Sequence, residues 1–356
     1  MIELLQNLGN GFSVALTPTN LLFALAGVLG GMIIGALPGI GTVVGVSLLL
    51  PLTFGMDPTS AIIMLAGIYY GAQYGGTLTS VLINMPGEAA TVVTTLDGYQ
   101  MARQGRAAKA LGIATIGSFI AGTVGVVVVT LLSPTLAEFA LRFGPPEYFA
   151  LILLGFTALG AISGSTLAKG LASVVLGLLL STVGLDIMSG RPRFTFGEDW
   201  LLSGFSFIVV AIGVFGIGEI LDGMMTPGGH PIIKTSLSWR NSMPSATDWM
   251  RSRGAIVRGT LIGLGVGVLP GAGSTLASFI AYSVERNASR HPEEFGKGAI
   301  EGVAAPESAN NSASAAAMIP LLTLGVPGSG TTAVLLGGFL LWGLRPGPLL
   351  FTQHPD

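Results

Sequence analysis

Two stretches decide the reading: GALPGIGT at Gly35–Thr42 and GVLPGAGS at Gly267–Ser274. Each carries Pro-Gly-x-Gly after an apolar run. Each leads into a short apolar segment, Thr42–Phe54 and Ala272–Val284. Proline removes a helical N–H and glycine opens left-handed backbone. Two half-helices are therefore expected to meet at each stretch, as a re-entrant hairpin or a broken helix. A second pair lies downstream. Met85-Pro86-Gly87-Glu88-Ala89-Ala90-Thr91 resembles Val326-Pro327-Gly328-Ser329-Gly330-Thr331-Thr332. Before these come Tyr74-Gly75-Gly76-Thr77 and Ala309-Asn310-Asn311-Ser312. The offsets are 232 for Pro38/Pro270, 235 for Gly76/Asn311 and 241 for Pro86/Pro327. Three ordered matches at nearly constant offset predict an internal duplication.

The composition fits a membrane. Of 356 residues, 54 are Gly, 50% are hydrophobic and 10% are charged. A soluble domain carries about 25% charged residues, so this chain could not cover its own surface with polar groups. Mean hydropathy is +0.74. The net charge of −2 argues against a nucleic-acid partner. Without Cys there are no disulfides, zinc–thiolate sites or Cys nucleophiles. His230, His291 and His354 lie in polar, Pro-flanked stretches, which disfavours a buried metal cluster.

Apolar stretches occur at Leu21–Leu37, Thr42–Phe54, Ala61–Met85, Ala107–Leu132, Tyr148–Ile162, Gly170–Val183, Phe205–Ile220, Ala255–Leu269, Ala272–Val284, Ala299–Leu324 and Thr331–Leu344. Several approach the roughly 20 residues that cross a bilayer. The expected fold is an all-α polytopic membrane protein. Residues 1–20 read as an interfacial segment, 21–222 as a first transmembrane repeat, 223–254 as a cytoplasmic basic linker and 255–356 as the start of a second repeat. Basic residues place the loops. Lys234, Arg240, Arg251, Arg253 and Arg258 put the linker in the cytoplasm, as Arg103, Arg106 and Lys109 do for their loop. The turn Met56-Asp57-Pro58 has no basic residue and falls outside. Its counterpart, with Arg286, Arg290 and Lys297, falls inside. The paired hairpins thus enter from opposite faces, an inverted-topology repeat. The first repeat runs on for over 100 residues past its Met-Pro-Gly motif, whereas 29 residues follow Pro327. On that count the second repeat is expected to be incomplete, with roughly 100–150 residues missing.

Inverted-repeat transporters bind substrate near the midplane, where broken helices meet. Free N–H groups at helix starts attract anions. Hydroxyl residues follow the Pro-Gly loops here: Thr42, Thr91, Ser274, Thr275, Thr331 and Thr332. The bland alternative is that Gly39, Gly41, Gly271 and Gly273 only let helices pack closely; packing, however, does not need Pro. The run Ala305–Ser312 is the most polar beside an apolar segment. Its Glu307 reads as a Na⁺ ligand (with Ser312 nearby), a proton carrier, or a partner to another helix. A solvated interfacial position is the alternative. Gln73, Thr77, Thr79, Asn84 and Glu88 occupy comparable places in the first repeat. Tyr69, Tyr70 and Tyr74 read as lining the site or as an aromatic belt, the belt being favoured for Tyr69 and Tyr70. Enzyme signatures fail: the P-loop-like Gly325–Thr332 has Thr331 where Lys is required.

GALPGIGT, YGGTLTSVLINMPGEAATVVTT at Tyr74–Thr95, Asp97-Gly98-Tyr99-Gln100-Met101 and PESANNS at Pro306–Ser312 resemble the large membrane subunit of tripartite tricarboxylate transporters, the TctA family. That resemblance implies a permease of the bacterial inner membrane. It would work with a small membrane subunit and a periplasmic solute-binding protein. It would take up a di- or tricarboxylate such as citrate, driven by Na⁺ or H⁺ with no other cofactor, and a homo-oligomer is compatible with it. Family members are near 500 residues long, in line with an incomplete second repeat. By motif match, ligand roles are expected at Gly39, Gly41, Thr42, Asn84, Pro86, Gly87, Gly271, Gly273, Ser274, Asn310, Asn311, Gly328 and Thr331. The rivals are a carrier of another small organic anion, a channel or ion-only transporter, and a non-transporting scaffold.

Overall fold

The computed structural model describes residues 2–37, 40–142, 167–186, 191–205, 238–269 and 273–353, with a few more between 144 and 221. Helix α1 (Ile2–Ala15) leads into α2 (Pro18–Gly35), which breaks before α3 (Gly41–Leu49). A 3₁₀ turn at Leu50–Thr53 holds Pro51, and α4 follows (Pro58–Ile83). Asp57 caps α4, its carboxylate accepting the amides of Thr59 and Ser60 at 3.1 and 3.3 Å. Helices α5 (Val92–Arg103), α6 (Ala107–Ala140) and α7 (Leu167–Ser181) come next. A two-residue antiparallel pair, β1 (Gly184–Leu185) and β2 (Pro192–Arg193), follows. The later half holds α8 (Trp239–Ser242), α9 (Ala246–Gly267), α10 (Gly273–Ala288), α11 (Glu301–Ala316), α12 (Met318–Leu324), α13 (Gly330–Leu341) and α14 (Leu350–Gln353).

Helix α2 is turned inside out relative to a helix of a soluble protein. It buries Gly27, Gly31 and Gly35 and exposes Leu21, Leu22, Leu25, Leu29 and Ile33. On α6, Phe119 is 74% exposed. Apolar side chains pointing outward and small residues at the contact are what lipid as solvent selects. Helices α2 and α6 are the two described helices long and apolar enough to cross a membrane.

The glycines set how the chain is wound. A Cβ at Gly27, Gly31 or Gly35 would overlap the carbonyl oxygens of Met64, Ile68 and Ala72 in turn. Both series ascend, so α2 and α4 run parallel. The chain between them must come back, and α3 with its 3₁₀ turn does so. Ser60 at the start of α4 then donates to Asn20 at the start of α2, at 2.6 Å. The later half repeats this winding. Cβ atoms at Gly259, Gly263 and Gly267 of α9 would overlap the carbonyls of Ala305, Ala309 and Ala313 of α11. Those two helices are again parallel, with α10 returning between them. Gly27, Gly31 and Gly35 lie 232 residues before Gly259, Gly263 and Gly267, the offset already seen for Pro38/Pro270. The carbonyls they meet align Met64, Ile68 and Ala72 with Ala305, Ala309 and Ala313, an offset of 241 that equals the one for Pro86/Pro327. Tyr70, not Gly76, therefore takes the place of Asn311.

Several boundaries move. The charges at Glu285-Arg286 do not end α10, which runs on to Ala288. Glu285 is buried because Arg258 of α9 grips its carboxylate in two bonds of 2.7 and 2.8 Å. The apolar stretch Ala299–Leu324 divides at Ala317 into α11 and α12. Every residue of α11 is buried, although the helix is mostly Ala, Ser, Asn and Glu. Tyr69 is corrected from the aromatic belt: it is 4% exposed and sits in a core with Val46, Leu50, Leu65, Ile68, Leu321 and Phe339. Tyr70 stacks on it, ring centroids 5.6 Å apart. The stretches Tyr148–Ile162 and Phe205–Ile220, and much of the basic linker, lie largely outside the described residues.

Candidate functional site

The paired loops share one backbone geometry. Gly41 and Gly273 open α3 and α10 with φ of +68° and +61°. This is the left-handed region that glycine enters freely. Asn84 and Gly325 end α4 and α12 in the same region, at +57° and +70°. Glu88 and Ser329 then take extended N-cap conformations. Their amides donate to Thr91 and Thr332 hydroxyls at 3.5 and 2.8 Å. Gly41 faces Glu88, and Gly273 faces Ser329, at the distance of ordinary contact. Gly87 is wedged against the Gly35 carbonyl and the Gly76 Cα, where no side chain would fit. Gly328 sits on Ala317, a Cβ there approaching to 3.0 Å.

Between these loops, α4 and α11 pass each other antiparallel. Gln73 donates its amide nitrogen to Ser314, and one turn on, Thr77 donates to Glu307 Oε2 at 2.8 Å. Thr94 of α5 donates to Glu307 Oε1 at 2.5 Å. Glu307 is 1% exposed, so the solvated interfacial position is overturned. Glu88 is half-buried. It accepts from the Thr42 hydroxyl and, at 3.1 Å, from Asn310 Nδ2. No ion pair among the described residues reaches either carboxylate. The Tyr69 hydroxyl faces Ser314, Ser329 and Gln73. Residues from both halves thus converge on one largely buried polar cluster.

Of the expected ligands, Gly41, Thr42, Gly87 and Asn310 come together around Glu88. Thr331 is buried, while Gly273, Ser274 and Gly328 belong to the partner loops. Pro86 is half-buried in its loop. Asn84 serves through its backbone as the left-handed stop of α4, and its residue is exposed. Asn311 turns to Ser118 of α6 at 2.7 Å, and Ser312 donates to the Thr260 carbonyl of α9 at 3.0 Å. Gly39 and Gly271 lie outside the described residues. Thr94 and Ser314 escaped the sequence reading. Helical spacing marks Ser314, since Glu307, Asn310, Asn311 and Ser314 fall at i, i+3, i+4 and i+7.

A lock holds α11 from its other end. Asp97 of α5 accepts from the Tyr282 hydroxyl at 2.8 Å and from the amides of Gly296, Gly298 and Ala299 at 2.9, 2.8 and 2.8 Å. Nearby, Arg251 bridges Glu294 and Glu301. Those hydrogen bonds hold the Glu294 carboxyl below the usual range.

The family described as "Tripartite tricarboxylate transporter TctA family" matches residues 21–356. The chain belongs to the TctA family. It is a membrane transport subunit of that family, which comprises transporters and not enzymes. A relative from Agrobacterium vitis, "Uncharacterized 52.8 kDa protein in TAR-I ttuC' 3'region", is 49% identical over 356 residues, all of this chain and 70% of the relative. Another from the same organism, "Uncharacterized protein in TAR-II ttuC' 3'region", is 58% identical over 90 residues, 25% of this chain and 37% of the relative. No solved structure gives a significant match.

Proposed function

We propose that this TctA-family subunit is the permease of an ion-gradient-driven uptake system for di- or tricarboxylates. It spans the bacterial inner membrane several times, and works with a small membrane subunit and a periplasmic solute-binding protein. The two halves are inverted repeats. The carrying observation is the pair of loops with matching geometry whose helices α4 and α11 pass antiparallel. An inverted repeat requires that direction. The substrate meets amides and hydroxyls at the starts of α3, α10 and α13, with a co-transported Na⁺ or H⁺ offsetting charge. A scaffold has no need of a buried Glu307 and a half-buried Glu88 with no cation paired to either among the described residues, a costly arrangement. The test is uptake of labelled carboxylate by proteoliposomes holding both membrane subunits, with the binding protein outside. Uptake should saturate, require the binding protein and collapse when the Na⁺ and proton gradients are both removed. Uptake indifferent to both gradients would refute ion coupling, and ion currents without carboxylate transport would favour a channel.

A further inference from the structure

Two buried amide oxygens lack any donor: Oε1 of Gln73 and Oδ1 of Asn310. Both residues are buried, at 1% and 0% exposure. Their orientation is fixed by their partners. The Ser314 hydroxyl donates its one proton to the Asn310 carbonyl at 2.9 Å, so it can only accept from Gln73. Gln73 must then present Nε2 to Ser314 and leave Oε1 free. Asn310 presents Nδ2 to the Glu88 carboxylate, which leaves Oδ1 free. Buried acceptors without donors are costly and call for an explanation.

We propose that Gln73 Oε1, Asn310 Oδ1 and the Glu88 carboxylate form a binding site for one monovalent alkali cation. Hard oxygen donors of this kind suit hard cations. One carboxylate with neutral oxygens suits a single positive charge, because Glu307 is occupied by its two threonine hydroxyls. A proton on Glu88 would leave both amide oxygens unanswered, whereas a cation answers all three groups. The Tyr69 hydroxyl lies beside these groups, facing Gln73 and Ser314. The site joins α4 and the Glu88 loop of one half to α11 of the other, so its occupancy couples the halves. As the seat of a coupling ion it rests on the transport reading above; as a cation site it is tested without transport.

The purified full chain in nanodiscs, free of substrate, is melted in NaCl, in KCl and in N-methylglucamine chloride at constant ionic strength. Na⁺ or K⁺ should raise Tm saturably, by about 2 °C at ten times the half-saturating concentration. The rise should vanish in Gln73→Ala and Asn310→Ala. Binding of ²²Na⁺ to the unaltered chain needs no variant to fold and should saturate at one ion per chain, or be displaced by K⁺ if that ion is preferred. A Tm that ignores both alkali ions overturns the site and leaves water as its occupant. An unchanged half-saturation in both variants overturns it equally. Saturable ion binding without carboxylate uptake would refute the transport reading and keep this one. Uptake without any saturable ion binding would do the reverse.

Discussion

Thr77→Val and Thr94→Val each remove one donor from Glu307 while keeping the side chain's shape. The carboxylate is 1% exposed, and its two oxygens take bonds of 2.8 and 2.5 Å from α4 and α5. Water has no ready path to replace a lost donor there. Leaving a buried acceptor without its donor costs about 1–3 kcal/mol, so each substitution should cost that much. In a Glu307→Leu background the hydroxyls lose their shared acceptor, and each Thr→Val change should cost about 1 kcal/mol or less. The coupling between Thr94 and Glu307 should therefore be about 1–2 kcal/mol, within the range for residues in contact. The assay is reversible unfolding in mixed micelles of the four proteins of each double-mutant cycle. Equal costs of Thr94→Val with Glu307 present and absent would refute the cradle.

Other outcomes follow from single contacts. Gly31→Val and Gly263→Val force a side chain into the carbonyls of Ile68 and Ala309; each should lower stability by about 1–3 kcal/mol or more, read as a fall in Tm, while Gly55→Ala, with open space around it, serves to show the smaller cost of a left-handed position alone. Burial pushes the Asp248 carboxyl up, but bonds from the Ser245 hydroxyl and amide and from Lys109 outweigh this and hold it below the usual range. Its native value is the lower one, so its contribution is present above pH ~4 and lost as pH falls through the native value; Asp248→Asn should flatten the acid limb of the stability–pH curve below pH ~4, and an unchanged limb would contradict this. Tyr282→Phe removes one of four donors to Asp97 and should cost about 1 kcal/mol, with faster amide exchange at Gly298 and Ala299; protection equal to the unaltered chain would argue against the lock.

The paired loops were legible because their most constrained backbone positions need particular residues. Pro-Gly-x-Gly and Met/Val-Pro-Gly recur where the chain enters left-handed backbone, and Gly41 and Gly273 do so. The second half of α2 carried a clearer signal, Gly27, Gly31 and Gly35 at the common offset, which became readable once their contacts with α4 were known. Hydropathy served α2 and α6 well, since both meet lipid on one side. It failed for α11, because a helix surrounded by protein needs small size and hydrogen bonding more than oiliness. Tyr69 was misplaced for a related reason: local sequence marks an aromatic residue as amphipathic but does not show which neighbours enclose it. Glu307 drew notice as an acid and Thr77 as a polar residue of the first repeat, whereas Thr94, a donor from another helix, left no local trace.

In the proposed mechanism two copies of one winding enter the membrane from opposite sides. Since the chain has no Cys, single cysteines report without background. Thr59 and Arg290, both exposed, mark the turns that precede α4 and α11. Right-side-out vesicles carrying Thr59→Cys should react with a membrane-impermeant maleimide, and those carrying Arg290→Cys should not. Inside-out vesicles should give the opposite pattern. Labelling of both positions from the same side would contradict the inverted repeat, and with it the proposed transport mechanism.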